Sequence, residues 1–149
     1  MKKISRTVLL NYSAEQMFDI VADVGAYPNF LPWCGGTQVL EHTEKLMKAT
    51  ILIQKMGLKK SFTTNNALVQ GERIEMKLVD GPFKSLNGEW YFKALDKAAC
   101  KVSFEIEFEV ENGLMSQLLG NIFEQIANTL VDSFVERAKA IYGEGKLGG

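Results

Sequence analysis

The sequence is poor in the residues that most often carry chemistry. Its 149 residues hold one histidine, two cysteines and three prolines, and the formal net charge is −1. His42, at a strand end among Glu41, Thr43 and Glu44, reads as a surface side chain. It has no second histidine to join it in a metal site or a hydrolytic triad. Cys34 and Cys100 are far apart and form no CxxC, which excludes a disulfide framework or a zinc site and leaves two reduced thiols. Cys34 precedes Gly35-Gly36, where a thiolate nucleophile or a small buried thiol would both fit, but no base stands in view. No glycine-rich phosphate loop follows a strand and opens a helix. The near-zero net charge gives no field that draws the whole chain to nucleic acid or an anionic membrane, so such binding requires a local patch. Long apolar runs are missing too: Val8 to Leu10 is cut off by Arg6 and Asn11, too short for a signal segment or a membrane span. The expectation is a cytoplasmic protein that is not an enzyme and has neither metal ligands nor catalytic residues.

What is present is an ordinary globular composition, 46% hydrophobic and 23% charged. It suits one domain, residues 1–143, followed by a glycine-rich tail over 144–149 that is expected to be disordered. Within Leu114 to Tyr142, apolar residues come in adjacent pairs every four positions: Leu118/Leu119, Ile122/Phe123, Ile126/Ala127, Leu130/Val131 and Phe134/Val135. This is helical spacing, and such a helix runs to roughly 40 Å at 1.5 Å per residue. A four-residue repeat overshoots each turn by about 40°, so the stripe winds around the helix and only a curved partner can cover it. Gly143 then ends the helix.

That partner lies upstream. After a first strand, Ile4 to Leu10, Ser13 and Gln16 form a capping box that opens a helix to Asp23, with Tyr12 and Met17 placed as a hydrophobic staple. Tyr27 to Leu31 is expected to be helical, in a stretch that Pro28 and Pro32 keep from forming a long helix and whose aromatics must pack on something. Strands then follow as a meander: Gly36 to His42, Leu46 to Met56, Leu58 to Val69, Arg73 to Val79, Leu86 to Leu95 and Cys100 to Glu111. In the last of them Val102, Phe104, Ile106, Phe108 and Val110 alternate with Ser103, Glu105, Glu107, Glu109 and Glu111, a core face against a solvated one. Gly88 is expected to mark a bulge or bend. The fold class is α+β, a strongly bent antiparallel sheet of six or seven strands wrapped around one long C-terminal helix.

A sheet closed on a helix leaves a space whose candidate lining is Phe62, Leu68, Met76, Trp90, Phe92, Phe104 and Phe108, facing Leu118, Ile122 and Ile126. A dry core and a cavity for an apolar ligand fit these residues alike. A second feature is the basic hairpin of Lys55, Lys59 and Lys60 around Gly57, extended by Lys2, Lys3 and Arg6, which suits RNA phosphates or an ordinary solvated turn.

The segments YPNFLPWC (Tyr27 to Cys34), DGPFKSLNGEW (Asp80 to Trp90) and ERAKAIYG (Glu136 to Gly143) resemble the START-like family of coenzyme-Q-binding proteins and bacterial ribosome-association toxins. The opening ISRTVLLNYSAEQMF and the block KSFTTNNAL (Lys60 to Leu68) are more similar to the ribosome-association branch. The resemblance implies a helix-grip (START/Bet v 1-like) fold. It also implies binding to the large (50S) ribosomal subunit that blocks subunit association; the basic hairpin of Lys55, Lys59 and Lys60, read from the charge pattern, is the candidate patch. The other branch implies a ubiquinone or other polyprenyl quinone or lipid in a hydrophobic cavity lined or capped by Tyr27, Pro28, Phe30, Leu31, Pro32, Trp33, Leu86 and Trp90, to which the apolar pattern read above adds Phe62, Met76, Phe104 and Ile122. No resident cofactor, DNA partner or transmembrane segment is expected, and the default is a monomer.

Overall fold

The computed structural model describes residues 1–144, and the expected disorder of the tail falls on residues 145–149, outside the described residues. β1 (Lys2–Leu10) is followed by α1 (Ala14–Ala22), a 3₁₀ turn (Val24–Asn29), β2 (Cys34–His42), β3 (Leu46–Lys55), β4 (Leu58–Val69), β5 (Arg73–Asp80), β6 (Phe83–Asp96), β7 (Ala99–Val110) and α2 (Ser116–Tyr142). The seven strands form one sheet in the order β1-β7-β6-β5-β4-β3-β2, and every pairing is antiparallel. Tight turns make most of the links. At the β3–β4 hairpin both turn residues have positive φ, Met56 at 52° and Gly57 at 81°, a two-residue turn whose twist matches that of the flanking strands.

The sheet curls around α2, and contacts from well-separated strands prove the wrap. The ring of Phe123 meets Phe62 on β4, Phe83 on β6 and Phe108 on β7, with centroids 5.8, 4.9 and 4.7 Å away. Arg6 on edge strand β1 donates to the Asn128 carbonyl and pairs with Asp132 at 3.2 Å, while Lys55 on β3 reaches Gln125 at 3.2 Å. α1 closes one end. Ser13 Oγ accepts from Gln16 N at 3.0 Å and Gln16 Oε1 accepts from Ser13 N at 2.9 Å, so two otherwise orphaned N–H groups are satisfied at the start of the helix. Its buried face is Ala14, Met17, Phe18, Ile20 and Val21.

Several boundaries differ from expectation, the first residues of β1, β2 and β6 by two or three positions among them. α2 begins at Ser116 rather than Leu114, because residues 111–115 form the turn out of β7: Ser116 donates from N and Oγ to the Gly113 carbonyl, and Leu114 is fully exposed. At the far end Ile141 and Tyr142 are also exposed, so the winding stripe is core only along its middle; Gly143, at φ 81°, ends the helix. The helical turn expected at Tyr27 to Leu31 starts earlier, at Val24, and is of the tighter 3₁₀ form that tolerates Pro28. Gly88 is not a bulge, since its pairings with Met76 and Ile106 run without a shift. The register slips of β6 fall instead between Phe83 and Ser85 and between Ala94 and Asp96. A Cβ built on Gly88 would lie 2.4 Å from Met76 Cε on the neighbouring strand, so its missing side chain makes the hollow that Met76 fills.

Candidate functional site

Between the concave face of the sheet and α2 lies an internal cavity of about 70 Å³. Of the residues expected from the sequence, Tyr27, Trp33, Phe62, Met76, Leu86, Trp90 and Phe104 line it. Phe30, Leu31 and Ile122 do not. Phe30 packs outside, between Tyr27 and Phe134 and beneath the Arg137 guanidinium, 4.9 Å from the ring centre. Leu31 is sealed into the core by the turn, its N–H bonded to the Tyr27 carbonyl at 2.9 Å. Ile122 is buried but off the cavity: one step along a helix rotates a side chain by about 100°, and Phe123 takes the facing position with Ile126, Ala127, Leu130 and Phe134. Phe92, Phe108 and Leu118 are also off the lining, Phe92 packing edge-on against Phe18 and Phe108 against Phe123.

The YPNFLPWC segment earns its aromatics by closing this space. Tyr27 is buried, with its hydroxyl donating to the Val21 carbonyl at the end of α1. Burial, reinforced by Asp23 and Cys34, pushes its phenol well above the ordinary range, so it stays a neutral donor. Half-buried Trp33 stands between the cavity and a surface groove formed with Pro32, Lys55, Gln125, Ile126, Thr129 and Ser133. Cys34 is buried, and burial raises its thiol, the opposite of what a nucleophile needs.

At about 70 Å³ the cavity is small beside sites for drug-sized ligands, roughly 300–1,000 Å³. An isoprenoid or acyl chain therefore enters only if lining side chains move aside. Met76 is unbranched and adaptable, and Trp33, Phe62 and Met76 are each only half-buried. The lining carries no charged side chain, but it includes Thr64 and Asn66, the two buried polar residues among the described residues. Sequence reasoning passed over both. They sit on the inward face of β4, two residues apart, and Thr64 Oγ1 donates to Asn66 Oδ1 at 2.9 Å. The available signal was a polar pair at inward positions between Phe62 and Leu68.

The basic hairpin splits into two kinds of lysine. Lys55 is tied to α2 by its bond to Gln125, whereas Lys59 and Lys60 are exposed and make no ion pair among the described residues. Between them Met56 is 73% exposed in a left-handed conformation, an arrangement that costs a non-glycine residue on the order of 1 kcal/mol. Lys2, Lys3 and Arg6 do not extend this patch, because Glu124, Glu107 and Asp132 neutralise them. His42 is exposed, and no group of three or more His, Cys, Asp or Glu suited to a metal ion occurs among the described residues. Among the described residues no helix is long and apolar enough to cross a membrane.

Over residues 10–135 the sequence matches the family described as polyketide cyclase / dehydrase and lipid transport. The chain belongs to this family. It is 49% identical over 144 residues to a protein of Vibrio cholerae named ribosome association toxin RatA, covering 97% of this chain and all of that one. It is more distantly similar, at 28% over 147 residues, to a mitochondrial coenzyme Q-binding protein homologue of Xenopus laevis, covering 96% of this chain and 60% of that protein. Among solved structures, the Zhui aromatase/cyclase of a Streptomyces species superposes with a TM-score of 0.80 over 93% of both chains at 16% identity, a likeness of fold. The START/Bet v 1-like helix-grip architecture anticipated from the motifs is the one observed.

Proposed function

We propose that this protein is a non-catalytic cytoplasmic factor that associates with the large ribosomal subunit and prevents the two subunits from joining. The observation that carries the proposal is similarity at 46–49% identity over 95–97% of the chain to proteins named for ribosome association. The hairpin of β3 and β4 supports it. Tightly turned and carrying Lys59 and Lys60 with no acidic partner among the described residues, it offers cations whose approach to phosphate releases counterions, as binding by a protein of net charge −1 requires. Exposed Met56 at its tip adds an apolar contact.

The test is the salt dependence of binding to purified large subunits. Each phosphate contact contributes about one unit to the slope of log affinity against log salt, so Lys55, Lys59 and Lys60 changed together to Ala should flatten it by up to about three units. An unaltered slope would remove the hairpin from the interface.

A second reading rests on the cavity: carriage of an apolar ligand such as a polyprenyl quinone or another lipid. The apolar lining and the half-buried Trp33 between cavity and groove favour it. Each methylene buried contributes about 0.8 kcal/mol, so a short tail is enough for useful affinity. Lipid extraction of protein purified from its native host, followed by mass spectrometry, tests it. Protein free of lipid would count against carriage.

A further inference from the structure

The inner face of β4 runs Leu58, Phe62, Thr64, Asn66, Leu68, and the two polar members fall where the cavity is. Asn66 is 6% exposed and Thr64 4%. Across the sheet Asn66 is paired with Met47 on β3 and Met76 on β5, while Thr64 stands opposite Ala49. None of these neighbours can accept a strong hydrogen bond from a side chain. The Thr64 hydroxyl satisfies Asn66 Oδ1 at 2.9 Å, while Nδ2, with two hydrogens to give, meets no acceptor among the described residues and keeps a little accessible surface. A buried amide left half-paired is costly, and a cavity wall built only for packing would carry aliphatic residues here.

We propose that Thr64 and Asn66 form the polar end of a ligand site in this cavity, with Thr64 orienting the Asn66 amide so that Nδ2 donates to a carbonyl oxygen of a neutral, otherwise apolar molecule. The inference rests on the second reading above and adds the chemical class. Charge decides that class. Among the described residues no cationic side chain lines the cavity, so a carboxylate buried there would be unpaired and is rejected, whereas a ketone, ester or quinone carbonyl needs only the donor that Asn66 supplies. Met76, turned into the hollow above Gly88 and paired with Asn66 across the strands, is the side chain whose rotation makes room beside the amide.

The experiment compares three probes of matched tail: a benzoquinone carrying a decyl chain, decylbenzene and decanoate. Binding is read from the emission of Trp33 and Trp90, both in the cavity wall. Wild-type protein should bind the quinone about ten-fold more tightly than decylbenzene and bind decanoate weakest, since one satisfied buried hydrogen bond is worth about that factor. Asn66→Leu should lose the ten-fold preference while keeping decylbenzene affinity. Thr64→Val, which leaves both Asn66 donors in place, should lose a smaller part and guards against a misfolded Asn66→Leu. The infrared carbonyl band of isotope-labelled quinone should shift down on binding to wild type and not to Asn66→Leu. Equal quinone affinity and an unshifted band in both proteins would overturn the proposal while leaving apolar carriage intact. Failure of wild type to bind either quinone or decylbenzene would overturn both.

Discussion

Truncating Phe134 to Ala tests the packing that holds the sheet, the 3₁₀ turn and α2 together. The side chain is 1% exposed, and its ring lies 5.4 Å from both Trp90 and Tyr27 and 5.8 Å from Phe30, so one residue of α2 joins β6 to the YPNFLPWC segment. Removing a ring that buries about 150 Å² forfeits about 4 kcal/mol at 25 cal/mol per Å², within the 3–5 kcal/mol range for such truncations. Little of this is recovered by collapse, because Phe134 already borders the cavity and the new void merges with it. For a chain of 149 residues the melting temperature should fall by about 8–16 °C. Guanidinium denaturation followed by tryptophan emission should show a lower midpoint with an unchanged slope, and Phe134→Leu should cost about 1–2 kcal/mol. The enlarged void should also take up a small aromatic such as benzene and regain part of the loss. A loss below about 1.5 kcal/mol for Phe134→Ala would refute the reasoning, since a ring so enclosed cannot be deleted that cheaply unless its surroundings are loosely packed.

Ser13→Ala removes the Oγ half of the capping box of α1, leaving only the bond from the backbone N–H of residue 13 to Gln16 Oε1, and should cost about 1 kcal/mol by denaturant titration, with Ser13→Asp recovering most of it. Gly88→Val should drive Met76 out of its hollow and into the cavity, costing about 1–3 kcal/mol and weakening any apolar probe bound there, which tryptophan titration will read. Burial raises the Cys100 thiol to about 11 against about 8.5 for a free one. The folded state thus favours the protonated form, and that contribution is complete below pH about 8.5 and lost as pH rises toward about 11. Denaturant midpoints measured across this window should fall for wild type and fall less steeply for Cys100→Ala; parallel slopes would show that Cys100 does not contribute.

Much of the fold was legible because its signals are local. The capping box at Ser13, the alternation of β7 and the winding pairs of α2 each follow from a fixed period, and a winding stripe has few partners other than a curved sheet. What was not legible depends on strand register and helix phase. Gly88 reads as a bulge or bend in the sequence, and its close approach to Met76 is visible only across the strands. Ile122 and Phe123 are equally apolar, and only the roll of α2 decides that Phe123 faces the cavity. Lys2, Lys3 and Arg6 look like free cations in the sequence but are matched to acids more than a hundred residues away. The Thr64–Asn66 pair sits in a run, TTNNA, where the strand's alternation is hidden by four polar residues in succession. Burial alone separates the inward members from Thr63 and Asn65.

The most direct test of the central claim is a subunit-joining experiment. Purified protein at several-fold molar excess is added to dissociated ribosomal subunits, magnesium is raised, and the products are resolved on a sucrose gradient. The account predicts a diminished joined-ribosome peak, with the protein comigrating with large subunits and absent from the small-subunit fractions. An undiminished joined peak with no protein beside the large subunits would contradict it.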